Sequence, residues 1–552
     1  HVVQTTGGRL CGGANPVARP PPRALVSRRP PHRGEWITVE AATPAVPPTV
    51  LPEGSAPGDK GLKTGALGFA SSVVIGVAST APGYSLASVL GLVVAVAGIG
   101  VYAPGILIAA FIPMLFIASS YYYMNRADPD CGTTFSWVTR AMGPWAGWIG
   151  GWAIIVADII VMANLAQIAG LYSFLLFGVE DPSTFLVTLI GVVWIAIMTV
   201  ICVIGIELSA RTQIGLLAAE LITLALFAVI ALVKVYSGDA LPGSIHPDIA
   251  WFNPFGVDSV SAFTSGLLLA VFIYWGWDST VTVNEETEDS DTTPGRAAVA
   301  STFILVGIYV LVAAAAIAYA GPKVLANDSS GDVLGLLANS VFGSDTLGKI
   351  VIIAVLTSAA ASTQTTILPT SRTALSMARA KAIPESYGRV SPRYLTPDVA
   401  TWWMGALSIL WYVGLTLVST NILYDSIAAL GLMIAFYYGL TAFACVVYYR
   451  RELFKSVRAF LFILVAPLIG GATMLFLLVK SIIDLSDPAN SESGDSWLGL
   501  GPPLVIGISF MVLGVILMIF WRLAGHQDFF GRRTETADPA LLEASGAIPE
   551  GS

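Results

Sequence analysis

Cysteine, histidine and charge are all scarce in this chain. Its 552 residues include four cysteines and four histidines, and only 12% are Asp, Glu, Lys or Arg. Cys11, Cys131, Cys202 and Cys445 lie in a tail, a loop and two apolar runs. They show neither paired nor metal-ligand spacing, which argues against a disulfide framework and a thiolate zinc site. No histidine falls inside a predicted helix, so no metal cluster and no nucleophile–base pair is visible. The chain is therefore expected not to be an enzyme and to need no metal or cofactor. A Walker sequence is also missing, which sets aside ATP-driven pumping, and no nucleic-acid partner is expected.

Apolar residues are what the chain has in excess. They make up 55% of it, with a mean hydropathy of +0.75, too high for a soluble domain. A bilayer core about 30 Å thick takes roughly 20 apolar residues per helix. Such runs recur near 67–92, 99–124, 144–177, 184–206, 212–236, 258–282, 297–320, 347–369, 399–419, 424–449, 459–482 and 501–522. An all-α membrane protein of about 12 transmembrane helices, spanning 63–525, is expected, with the lipid bilayer as its surroundings.

Lys and Arg set the orientation. With an internal N-terminus, only Lys234, Lys323, Lys349 and Lys480 of the 28 would lie outside. The bias persists without the tail cations and predicts that both termini are cytoplasmic, in the cell membrane. Residues 1–62 are Pro- and Arg-rich and are expected to be a disordered cytoplasmic tail, with no apolar run for a signal peptide. They begin at His1 rather than Met, which suggests a processed, truncated or misassigned start. Residues 526–552 read as a polar cytoplasmic C-terminal tail.

Two runs are interrupted. The sixth, "FIYWGWDSTVTVNEETED", carries Gly276 between Trp275 and Trp277 and then Asp278. The first, "ASSVVIGVASTAPGYSLASVL", carries Gly76, Ser79, Thr80, Pro82 and Gly83. Paired breaks in corresponding runs point to a transporter site at the membrane midplane, because backbone groups freed by a break are useful only where they line a cavity. Breaks in the first and sixth runs suit two inverted halves of five helices. Pro82 suits the first position of the second half-helix, whose N–H groups would face an anion such as a carboxylate.

Three stretches carry a family resemblance. "FIYWGWDSTVTVNEETEDSDTTPGRA" resembles the sixth-helix signature of the amino acid, polyamine and organocation (APC) superfamily. "SRTALSMARAKAIPESYGRVSPRYLTP" is similar to its loop after helix 8, and "GTTFSWVTRAMGPWAGWIGGW" to its entry into helix 3. The resemblance implies a LeuT-type 5+5 inverted repeat, with helices 1 and 6 broken and a site between helices 1, 3, 6, 8 and 10. It also implies transport of amino acids or polyamines by alternating access. Carried onto this chain, substrate-binding candidates are Ser79, Thr80, Ala81 and Gly83 in helix 1, Asp158 in helix 3, and Tyr274, Trp275, Gly276 and Asp278 in helix 6. The helix 1 stretch departs from the Gly-x-Gly that many members carry.

Individual residues sharpen these expectations. Asp158, Glu220 and Asp278 are carboxylates inside apolar runs, costly unless paired, hydrated or neutralised. Asp158 suits either an amine or guanidinium partner or a protonated contact with a neighbouring helix. Asp278 suits a ligand or a cap. Glu220 lies near a position where some relatives carry Lys, and a structural contact with a hydroxyl is expected of it. Glu285 and Glu286 are expected at the cytoplasmic end, gating or holding a loop through Arg contacts. Ser358, Ser362 and Thr363, with the Ala78 carbonyl, form a candidate sodium site, or else bond within their own helix.

The expected function is a secondary active transporter of a small molecule, an amino acid or related amine, coupled to a proton or sodium ion as symporter or antiporter. A sensor or receptor on a transporter fold is the alternative. Because no Lys or Arg lies deep in a predicted run to pair with Asp158, cationic or amine-rich substrates are expected to be preferred over acidic ones.

Overall fold

The computed structural model describes residues 60–537, apart from positions 180, 328–331, 419 and 492. The expected disorder of residues 1–59, and the end of the chain from 538, lie outside the described residues. All described residues belong to one unit. They form helices α1 (Phe69–Ser79), α2 (Pro82–Ala95), α3 (Ala103–Ala127), α4 (Thr134–Met142), α5 (Pro144–Leu176) and α6 (Thr184–Ile204). Next come α7 (Ile206–Ser237), α8 (Val260–Phe272), α9 (Ser279–Thr282), α10 (Thr293–Ala320), α11 (Pro322–Ala326) and α12 (Val333–Phe342). The series closes with α13 (Asp345–Arg379), α14 (Asp398–Val418), α15 (Thr420–Tyr448), α16 (Val457–Asp484), α17 (Pro502–Leu523) and α18 (Gln527–Phe530).

Eleven helical spans, α1 with α2 counted as one, are long and apolar enough to cross a membrane among the described residues, and α8 with its continuation supplies the sixth of the expected twelve. In hydrocarbon every backbone group must be bonded inside its own segment, which is why these apolar runs are helical. The fold is the LeuT-type arrangement of about 12 helices, all-α, with its two broken helices where the sequence places them. α5 packs against both α13 and α15, and α10 lies against α3 and α7. α17 leaves Val512, Ile516 and Phe520 exposed, apolar side chains that suit lipid.

Both breaks follow local chemistry. α1 stops at Ser79, and Ala81 takes a left-handed backbone with φ 47° before Pro82 opens α2. α8 stops at Phe272, and residues 273–278 turn before α9, with Gly276 at φ 119°. A Cβ on Gly276 would lie 2.8 Å from the Ser79 carbonyl carbon, so the two breaks touch, and only glycine fits that contact.

α13 runs ten residues beyond the predicted 347–369. Its extra turns are polar, but Ser371 bonds the Leu368 carbonyl and Arg372 finds a buried acid, so burial against neighbouring helices replaces hydropathy as the cause of the helix. At the end of the bundle where the described termini lie, Leu67 pairs with Thr287 in a single β-bridge. The C-terminal segment lies there too. Phe529 of α18 is buried against Phe135, Glu535 N–H donates to the Arg140 carbonyl (2.7 Å) and Ala537 N–H to that of Tyr448 (3.1 Å).

Candidate functional site

The break between α1 and α2 is wrapped by side chains. Thr80 Oγ1 donates to the Val77 carbonyl (2.7 Å), and Ser85 Oγ to that of Thr80 (2.7 Å). From α13, Ser362 Oγ donates to the Ser79 carbonyl at 2.9 Å. Ser79 Oγ lies 2.8 Å from Ser279 Oγ of α9, which links the two breaks. The N–H groups at the positive end of α2 are taken by the chain itself. Gly83 N–H donates to Glu220 Oε1 (2.6 Å) and Tyr84 N–H to Ser358 Oγ (3.2 Å). A carboxylate does face this helix end, and it is that of Glu220 from α7. Glu220 thus meets a backbone N–H in addition to the hydroxyl contact expected of it, which Ser358 supplies.

At the second break, Tyr309 Oη donates to the Ile273 carbonyl (2.5 Å) and Tyr274 Oη to that of Leu107 (3.0 Å). Asp278 accepts from Tyr438 Oη (2.8 Å) and Tyr437 Oη (3.3 Å), both on α15. Tyr437 also accepts from Trp275 Nε1, and Trp277 stacks on Tyr438 with ring centroids 5.4 Å apart. Asp158 on α5 accepts from Thr370 Oγ1 of α13. Both aspartates are buried, and neither is in an ion pair among the described residues.

The structure therefore gathers Ser79, Asp278, Tyr274, Trp275 and Gly276 at one place in the bundle, with Glu220 and Ser358 at the neighbouring helix end. Of the sodium-site candidates, Ser358 and Ser362 reach the α1–α2 break, Thr363 Oγ1 bonds the Ala359 carbonyl of its own helix (2.8 Å), and the Ala78 carbonyl accepts from Ala81 N–H (3.2 Å). Tyr437, Tyr438 and Thr370 had not been singled out. A Tyr-Tyr pair in a membrane run looks like ordinary aromatic packing, and the one usable signal was that it falls in the tenth run, one of those lining the implied pocket.

A family model described as "Amino acid permease" matches residues 65–520. The chain belongs to the amino acid permease family of the APC superfamily. Among its relatives, the branched-chain amino acid permease BcaP of Lactococcus lactis is 26% identical over 228 residues, 38% of this chain and 47% of that protein. The chain thus spans about half the length of that relative. An uncharacterized transporter of Mycobacterium tuberculosis is 28% identical over 343 residues, 62% of this chain and 72% of the relative. The branched-chain amino acid permease BcaP of Bacillus subtilis is 25% identical over 337 residues, 56% and 67% of the two chains. The protein is a multi-pass membrane protein of that family.

In this permease the two expected loop acids are both in ion pairs. Glu286 accepts from Arg372 Nε (2.8 Å) and Nη2 (2.9 Å), a two-pronged pair with both side chains fully buried. Arg372 lies two turns inside α13, in the part that extends past the predicted helix end at 369, and its charge is engaged by Glu286 rather than by Asp158. Glu285 Oε1 lies 2.5 Å from Lys60 Nζ and accepts from Cys131 N–H at 2.9 Å. Lys60 Nζ also lies 2.9 Å from Asp130 Oδ1 and 3.5 Å from Cys131 Sγ. Asp130, Cys131 and Glu285 make a metal-like set of donors, but the Lys60 ammonium stands among them as their cation. Burial alone would raise the Asp130 carboxyl, but Lys60, Ser136, the Gly132 N–H and Ser376 hold it well below the usual carboxylate range.

Proposed function

We propose that this permease is a secondary active transporter carrying amino acids or related amines across the cell membrane by alternating access, with its substrate at the touching breaks of α1–α2 and α8–α9. The observation that carries the reading is the pairing of these breaks through Ser79, Ser279 and Gly276 beside two buried aspartates. Broken helices can rock about such a point without exposing backbone to lipid. The amine end of the substrate is assigned to Asp278 and Asp158, and the aromatic rings of Trp275 and Trp277 favour a cation.

Supporting an amine over a lone carboxylate, the α2 N–H groups of Gly83 and Tyr84 are engaged by Glu220 and Ser358. Glu220, Asp158 and Asp278 must be neutralised by a substrate amine, a proton or a sodium ion, which supports ion-coupled symport or exchange. The Lys and Arg bias supports cytoplasmic termini. A second reading, transport of branched-chain amino acids, is favoured by the names of two relatives. Uptake into proteoliposomes, with arginine, ornithine, putrescine, leucine and glutamate as competitors and with pH and sodium varied, tests both. Amines should compete best, leucine would favour the second reading, and glutamate competing better than all would overturn the charge argument.

A further inference from the structure

A cavity of about 290 Å³ lies away from the helix breaks, at the hairpin joining α6 to α7. Lys63, Arg211 and Arg393 bring three positive charges to its wall, against the single carboxylate of Glu207. Glu207 is held by Lys63 at 2.7 Å, and both are nearly half exposed. Neither Arg211 nor Arg393 is in an ion pair among the described residues; Arg393 lies over the Tyr394 ring, 5.1 Å from its centroid. The wall thus carries a surplus of about two positive charges, from three cations and one acid, and two of its guanidiniums are open to an anion.

Its position limits what that anion is. Ile204 ends one membrane span and Ile206 begins the next, so the cavity sits where the hairpin leaves the hydrocarbon. Ile204, Leu208 and Leu395 also line it, and they stand 42%, 40% and 38% exposed. A soluble phosphate would meet this apolar rim without benefit. A phospholipid meets all of it, with its phosphate at the guanidiniums and its chains along the isoleucine and leucines. Arg is suited to phosphate because its planar fork offers two parallel N–H donors.

We propose that this cavity binds the headgroup of an anionic phospholipid, with Arg211 and Arg393 holding the phosphate. Lys63 precedes α1, Arg211 lies on α7 and Arg393 lies between α13 and α14, so one lipid ties together three parts of the chain that alternating access would move. The full-length protein, purified in mild detergent, is examined by native mass spectrometry and thermal unfolding with phosphatidylglycerol, with phosphatidylcholine and with the soluble headgroup glycerophosphoglycerol. Phosphatidylglycerol should be retained and should raise Tm, while the other two should do neither. The double variant Arg211→Gln/Arg393→Gln should bind it about tenfold more weakly, as expected for losing charged contacts to one phosphate. Arg450→Gln/Arg451→Gln, exposed cations elsewhere, should bind it as the wild type does. Equal retention of phosphatidylcholine by the wild type overturns the proposal whether or not any variant folds. So does an unchanged response in the double variant, or a soluble headgroup as effective as the lipid.

Discussion

Gly276 is where the smallest change should have the largest effect. A methyl group there would meet the Ser79 backbone at 2.8 Å, on a residue whose φ of 119° already disfavours any side chain. Gly276→Ala is expected to lower stability by about 3 kcal/mol or more and to abolish uptake, read as a drop in Tm and as lost transport in proteoliposomes. Asp158→Asn keeps an oxygen to accept from Thr370 while removing the charge, so normal insertion with impaired uptake is expected; Trp275→Ala, which removes the indole donor from Tyr437, should behave alike. Unaltered kinetics in both would remove these residues from the site. Asp128 gives a pH test outside the membrane. Burial first, and then the Asp130 charge, push its carboxyl from 3.8 up to about 7, against the pull of Arg140. The folded state then binds the proton more tightly than the unfolded one between those values, so this residue's contribution to stability falls as pH rises from about 4 to about 7. Asp128→Asn should flatten that part of the Tm–pH curve. A slope equal to the wild type's would rule the residue out as its source.

Among the elements, the segment before α1 acts as a fastener. Lys60 reaches Glu285 and Asp130 by its ammonium, its carbonyl accepts from Arg379 Nη2 (3.1 Å), and Leu67 bridges Thr287. It therefore joins the regions before α4 and after α9 to the end of α13. Lys60→Ala is expected to leave Asp130 and Glu285 facing each other uncompensated and to loosen this end of the bundle. Cys131, fully buried beneath Lys60, reports on it: labelling by a water-soluble maleimide should be faster in the variant. Burial pushes its thiol up, with Glu285 adding to the shift and Lys60 opposing it, so loss of Lys60 would by itself slow labelling and a faster rate reads the opening of this end. Equal labelling rates would mean that Lys60 does not close this end. The start of α2 was readable beforehand, because Pro82 fits a first helical turn and nothing else in the run does. The length of α13 was not, since its last turns are polar and become helical only against packed neighbours.

For the whole molecule, the orientation rests on where Lys and Arg lie, and it has a direct check. Fusion of green fluorescent protein to the C-terminus should fluoresce, and alkaline phosphatase at the same place should be inactive, because both termini are expected to face the cytoplasm. The reverse pattern would invert the topology and place the basic cavity on the other leaflet. Membrane class, the twelve runs and the two breaks could all be read from the chain, because hydropathy, Pro82 and Gly276 act over a turn or two of helix. The partners of the buried acids could not. Glu286 meets Arg372 across 86 positions, Gly83 meets Glu220 across 137, and Lys60 meets Glu285 across 225. A carboxylate in an apolar run announces that something must compensate it. Which donor does so is decided only when the helices pack, because the energy of a buried charge depends on neighbours a few ångströms away in space and not on those beside it in the chain.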